Sequence, residues 1–164
     1  MLKSDLVVLR LVDFRDATLI FAWESDKEII SYTERDAPLT IDLIESIIKE
    51  QRSVFDSGQV RYIICNNLSN VPLGMVDLYN IDFDQESAEV GIAIIDKVNR
   101  QKGFAGEALK LIHEYAESVL GIHCLTAFVE MDNVASNTLF KKSGYKMVDS
   151  AVSDKKMNSF KIEF

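Results

Sequence analysis

Apolar and polar positions along the chain alternate in short runs, then switch to helical spacing, and the switches divide it into elements. Leu6 to Val12 sets Val7, Leu9 and Leu11 on one face and predicts a first strand. Asp13 can cap a short helix carrying Ala17, Leu19, Ile20 and Trp23. After a polar, aperiodic stretch from Glu24 to Leu39, Thr40 can cap a second helix. Its apolar stripe is Ile44, Ile47, Ile48 and Phe55, and it stops near Gly58. From Val60 the period becomes two. Val60 to Asn66, Leu73 to Ile81 and Ser87 to Ile95 predict an antiparallel meander joined by polar turns. A long amphipathic helix follows, with Phe104, Ala108, Leu111, Ile112, Tyr115 and Val119 on one face and Glu107, Lys110, Glu114 and Glu117 on the other. Ile122 to Glu130 reads as strand, Val134 to Lys142 as a short helix ended by Ser143-Gly144, and Tyr145 to Ala151 as strand. A polar turn at Ser153-Asp154-Lys155 leads to a last strand alternating Asn158, Phe160, Ile162 and Phe164. The order β-α-α-β-β-β-α-β-α-β-β predicts one mixed α/β domain over 1–164, without repeat or interdomain linker.

The organising stretch is the junction from Ile94 to Leu109, where an apolar strand enters a basic, glycine-bearing turn that opens the long helix. The first N–H groups of a helix have no partner within it and point out of its end. Together with the helix dipole they form an anion site, and glycine lets a phosphate approach the backbone. Arg100 and Lys102 would add positive charge; the competing reading is a solvated loop. The three glycines of the dinucleotide fingerprint are missing, and no Gly-Lys-Ser/Thr follows as in a P-loop. On the preceding strand Glu89, Gly91 and Ala93 share a face. Two small residues beside a carboxylate signal either room for a ligand or a helix packed closely over the glycine.

Composition narrows the classes. Of 164 residues, 48% are hydrophobic and 27% charged, ordinary for a globular domain, and the net charge of −8 opposes nucleic-acid binding, which rests on neutralising phosphates. Cys65 and Cys124 lie within strands, away from any metal-ligand spacing, and read as reduced core thiols. The N-terminus lacks a signal-peptide core, and no apolar run is long enough to span a membrane. A cytoplasmic protein without metal is the expectation.

Four motifs in order resemble the GNAT superfamily of N-acetyltransferases, over nearly the whole chain. Arg100-Gln101-Lys102-Gly103-Phe104-Ala105 matches the family's Arg/Gln-x-x-Gly-x-Gly/Ala signature, and Ala88-Glu89-Val90-Gly91-Ile92 stands on the strand before it. Asp132-Asn133-Val134-Ala135-Ser136-Asn137 follows, and Lys142-Ser143-Gly144-Tyr145 closes the set. With Trp23-Glu24-Ser25-Asp26, the pattern is most similar to the branch holding ribosomal-protein N-terminal acetyltransferases and spermidine acetyltransferases. The resemblance implies a mixed, mostly antiparallel sheet of about seven strands with flanking helices, and acetyl-CoA as cosubstrate.

By that resemblance the pyrophosphate lies on the backbone from Arg100 and Gln101 through Lys102, Gly103, Phe104 and Ala105 to Gly106. The pantetheine arm pairs along Ile92, Ile94 and Ile95, near Asn133 and Asn137 at the next strand's end. An N–H around Ile92 serves the oxyanion, and Glu89 is the candidate base. Many relatives place a proton-donating tyrosine seven residues after the asparagine; here that position is Phe140, which leaves Ser136 and Tyr145 as candidates, or water. An α-amine titrates near ~7.7–8 and a lysine or polyamine amine near ~10.4, so a site lacking a strong base suits an α-amine better. The implied activity is N-acetyl transfer to a protein N-terminus or small amine by a monomer or homodimer. The alternative is a non-catalytic acyl-CoA-binding module, suggested by Phe140; generic nucleotide binding would instead predict affinity for ATP. His113 and His123 read as structural or exposed, and Ser31 to Leu39 and the turn near Ser153 as acceptor loops.

Overall fold

The period-two runs form one sheet, whose parallel step is where the chain crosses over through its longest helix. The computed structural model describes residues 2–25, 39–51, 53–149 and 156–164. Its strands are β1 (Leu2–Lys3), β2 (Val7–Leu11), β3 (Val60–Asn66), β4 (Pro72–Asp82), β5 (Ser87–Ile94), β6 (Cys124–Glu130), β7 (Lys146–Val148) and β8 (Met157–Glu163). They lie in the order β1-β2-β3-β4-β5-β6-β8-β7, antiparallel except where β5 meets β6. The helices are α1 (Ala17–Glu24), α2 (Ile41–Glu50), α3 (Val54–Ser57), α4 (Phe104–Leu120) and α5 (Val134–Lys142). The architecture is α+β, with the expected meander at β3-β4-β5; β1 is an edge strand that the pattern did not reveal.

The main core lies beneath α4 and α5, where Val76, Leu78, Val90, Ile112, Leu125 and Phe160 close on one face of the sheet. A smaller cluster on the opposite face joins Ala17 and Ile20 of α1, Ile44 and Ile48 of α2, and Ile63 and Cys65 of β3. The segment expected as one helix from Thr40 to Gly58 is two. Thr40 caps α2 by accepting the Leu43 N–H at 3.2 Å, but three and four residues beyond Ile48 stand polar Gln51 and Arg52, so the apolar stripe ends. Phe55 on α3 is 67% exposed and stacks on Phe83 at 5.2 Å. Val119 leaves the expected face of α4 as well. Gly121 ends the helix in a left-handed conformation, and Ile122, donating to the Ala116 carbonyl at 2.9 Å, fills the space below the last turn with Leu120. Leu11, at the end of β2, is likewise exposed. β7 is shorter than Tyr145 to Ala151, and the acceptor loops expected at Ser31 to Pro38 and Ser153 lie outside the described residues.

β5 and β6 pair only through Ser87–Cys124, Ala88–Leu125 and Glu89–Thr126. Beyond Glu89 they part, while β5 stays paired with β4 as far as Ile94. The β6-facing edge of β5 from Val90 to Ile94 has no strand partner among the described residues. The resulting split opens toward the first turns of α4 and α5.

Candidate active site

The mouth of the split is built by the turn that the sequence singles out. Gln101 (φ 60) and Gly103 (φ 87) both adopt the left-handed region, which glycine occupies without strain and glutamine does not. Gly103 offers no side-chain cap to α4. The helix's first hydrogen bond runs from the Glu107 N–H to the Gly103 carbonyl at 3.1 Å, so the N–H groups of Phe104, Ala105 and Gly106 lie ahead of it. Exposed Lys102 stands beside them. These donors fit a pyrophosphate, and the unpaired edge at Ile92 and Ile94 fits an amide-bearing arm laid alongside as an added strand.

Arg100 takes a different part from the one expected. Its Nε donates to the Ile94 carbonyl and its Nη2 to the Ile95 carbonyl, each at 3.0 Å. The Ile95 N–H in turn donates to Leu73 at 3.0 Å. Arg100 therefore staples the turn to the end of β5 by a two-pronged contact, with its donors directed inward. Lysine retains the charge but lacks the fork. Arg100→Lys is thus expected to raise the KM for an acyl-CoA donor nearly as much as Arg100→Ala, roughly tenfold, or about 1.4 kcal/mol. A lysine variant with a wild-type KM in initial-rate measurements would show that charge alone matters.

On the face that carries α1 and α2, Glu89 stands opposite Tyr79 and Gly91 opposite Asp77. Gly91 leaves room on this face: a Cβ there would make only an ordinary contact, 3.6 Å from Cε1 of Tyr79, whose ring borders the space. Burial and then the Glu89 charge push the Tyr79 phenol up to about 12, so it keeps its proton at neutral pH. Tyr79, Asn80, Asp77, Arg61 and Gln51 line a cavity of about 610 Å3. At its base Arg61 holds Asp77 with Nε (2.7 Å) and Nη2 (2.9 Å), and the buried Glu24 with Nη1 (2.6 Å). Burial opposes the guanidinium charge, but Asp77 and then Glu24 outweigh it and raise its pKa. Glu24, Arg61 and Asp77 sum to one negative charge, and Glu89 beside them makes two.

Across the split, Asn133 caps α5 by accepting the Ser136 N–H at 3.1 Å. Ser136 is half-buried in the first turn. Asn137 is occupied within the protein: its Nδ2 donates to the Glu130 and Asn133 carbonyls, both at 2.8 Å, and its Oδ1 accepts from Asn158 at 2.7 Å. It ties α5 to β6 and β8 and does not face a ligand. Phe140 is buried between Tyr145 and Phe160, with ring centroids at 5.0 and 6.0 Å. Tyr145 does not join Glu89 either. It is 4% exposed in the core, and its phenol meets His113 Nε2 at 2.9 Å. Burial raises the phenol's pKa and pushes the His113 imidazole down to about 4, leaving both neutral. Tyr145→Phe is expected to cost about 1 kcal/mol for a lost hydrogen bond and to leave kcat unchanged. A large fall in kcat at unchanged melting temperature would return Tyr145 to the chemistry.

Arg61, Asp77, Tyr79 and Asn80 are the residues sequence reasoning missed. The available signal was a tyrosine and an aspartate alternating on the strand beside Glu89, but choosing among carboxylates required the register. No group of His, Cys, Asp and Glu that could hold a metal occurs among the described residues, and no helix among them is long and apolar enough to cross a membrane.

Residues 7–146 match the family model described as acetyltransferase (GNAT) domain. The chain is 28% identical over 146 residues to the uncharacterized N-acetyltransferase YoaA of Bacillus subtilis (strain 168), covering 88% of this chain and 82% of that one. It is 24% identical over 139 residues to the spermidine N(1)-acetyltransferase of Vibrio cholerae, covering 85% and 78%. The solved structure of spermidine N-acetyltransferase from Vibrio cholerae in complex with CoA and spermine superposes with a TM-score of 0.84 at 20% identity, over 98% of this chain and 96% of that one. The family match spans the split and the open amides of α4: the chain belongs to the GNAT family and is an N-acetyltransferase.

Proposed function

We propose that this chain transfers an acetyl group from acetyl-CoA to a primary amine seated in the cavity of Arg61, Asp77 and Tyr79. The carrying observation is the parting of β5 from β6 after Glu89, which leaves an unpaired strand edge leading to the open amides of α4. Acetyl-CoA supplies the acyl group as a thioester. The N–H groups of Phe104, Ala105 and Gly106 bind its pyrophosphate, and the free edge from Val90 to Ile94 aligns the arm. A backbone N–H near Ile92 donates to the carbonyl oxygen as charge develops there. Glu89, on the cavity side of the same strand, takes one proton from the entering ammonium, directly or through one water, and releases it to solvent, so that the amine attacks neutral; the second proton, lost by nitrogen as the adduct collapses, balances the one the thiolate gains. As the C–N bond forms and the C–S bond breaks, the thiolate takes its proton from Ser136 or from water.

The acceptor enters as a cation, and the two net negative charges around the cavity favour that form electrostatically. Arg61, held by two carboxylates, opposes no ammonium. The polar lining suits a protein N-terminus or a small amine, and an α-amine asks least of a single carboxylate base. The test is thiol release from acetyl-CoA over a panel of peptides with free N-termini, polyamines and amino acids. Release above the no-amine background on any acceptor supports the proposal and identifies the class. Tight acetyl-CoA binding with no release on any acceptor would overturn it in favour of a binding module.

A further inference from the structure

β4 breaks its own regularity beside Glu89. Its register against β5 shifts between Tyr79 and Asp82, so β4 carries one residue more than its partner there. A bulge of this kind re-aims a side chain that strand alternation would send to the opposite face. Asn80 sits in the bulge with φ +49, a left-handed conformation tolerated by asparagine at some cost. Alternation would turn Asn80 away from Glu89, on the side opposite its neighbour Tyr79. Instead its Nδ2 donates to Glu89 Oε1 at 3.1 Å, and the residue lines the cavity together with Tyr79.

We infer that Asn80 is a positioning residue for Glu89: the bulge brings its amide onto one carboxylate oxygen and leaves the other directed at the amine. The inference rests on the reading of Glu89 as base. An amide is well suited to this task. It donates to the carboxylate and so fixes its orientation, and it carries no charge to repel an incoming ammonium. Tyr79, directly opposite, bounds the carboxylate on the Gly91 side. Among the described residues, the other charged groups on this face are Asp77 on β4 and Arg61 on β3, which are paired with each other, and the buried Glu24 of α1, which Arg61 also holds. Lys161 on β8 lies beyond Thr126 and is itself paired with Glu163 at 2.6 Å.

Two variants separate positioning from a merely structural turn. Asn80→Gly removes the amide but suits the left-handed backbone better, so it folds at least as stably as the parent. Asn80→Asp tolerates the same backbone and sets a second carboxylate against the first. With the acceptor found in the thiol-release panel, Asn80→Gly is expected to lower kcat about fivefold without raising the KM for acetyl-CoA, and Asn80→Asp, which cannot donate an amide hydrogen to the carboxylate, to lower it at least as far. The melting temperature of Asn80→Gly stays at or above the parental value. A parental kcat in Asn80→Gly, with Glu89→Gln impaired, overturns the positioning role alone. If Glu89→Gln is itself fully active, the base reading falls and the inference falls with it.

Discussion

Glu89→Gln is expected to lower kcat/KM for the amine by roughly a hundredfold to ten-thousandfold, the usual worth of a positioned general base, while acetyl-CoA affinity changes little. Glutamine keeps the shape of the side chain and can still meet Asn80, so the loss reports proton acceptance rather than packing. The carboxylate lies at the last paired residue before β5 and β6 separate, opposite Tyr79, where cavity and split come within one strand of each other. Steady-state rates at saturating acetyl-CoA, taken across the pH range, check the claim. A glutamine variant with parental rates at neutral pH would remove Glu89 from the chemistry and leave proton removal to water.

The second large effect is structural and concerns the strand that borders the split. A Cβ placed on Gly74 would lie 1.9 Å from the Ala93 carbonyl oxygen, 2.9 Å from its carbon and 3.0 Å from Ile94 Cα. These are backbone atoms, and no rotamer change can relieve the overlap. Gly74→Ala therefore has to push β5 aside at the point where Arg100 staples it. Overpacking of this kind costs about 3 kcal/mol or more, which in a chain of this size lowers the melting temperature by roughly 6–12 °C. The displacement also moves the free edge, so acetyl-CoA binding weakens in whatever fraction remains folded. Differential scanning fluorimetry with and without acetyl-CoA measures both effects. A variant that melts within a degree of the parent would contradict the close approach of β4 and β5.

Much of this was legible before any coordinates. Period-two runs gave the meander, and the switch to helical spacing at Phe104 gave α4. What remained hidden depended on register and on chain ends. Arg100 reads as charge in a loop; only the position of the Ile94 and Ile95 carbonyls, at the end of β5, makes it a staple. Gly91 reads as space, and the register adds that the ring of Tyr79 from the neighbouring strand borders it. Tyr145 and Phe140 sit close in sequence to Ser136, but helical rotation carries Phe140 inward and the tight turn at Gly144 carries Tyr145 in after it. Asn80 was invisible for a different reason. Simple alternation assigns it to the opposite face, and a one-residue bulge reverses that assignment. The helix from Thr40 was overextended because Phe55 falls at a helical interval from Ile48, although the intervening Gln51 and Arg52 interrupt the stripe.

The central claim is that acetyl-CoA lies in the split, its pyrophosphate on the start of α4 and its arm on the free edge of β5. Residue-resolved amide hydrogen exchange, with and without saturating acetyl-CoA, tests this most directly. The N–H groups of Phe104, Ala105 and Gly106 and those of the β6-facing edge between Val90 and Ile94 are expected to exchange more slowly when it binds, while β2 and β3 exchange as before. Protection confined to the cavity of Arg61 and Asp77, or no protection at either α4 or β5 under saturation, would contradict the account.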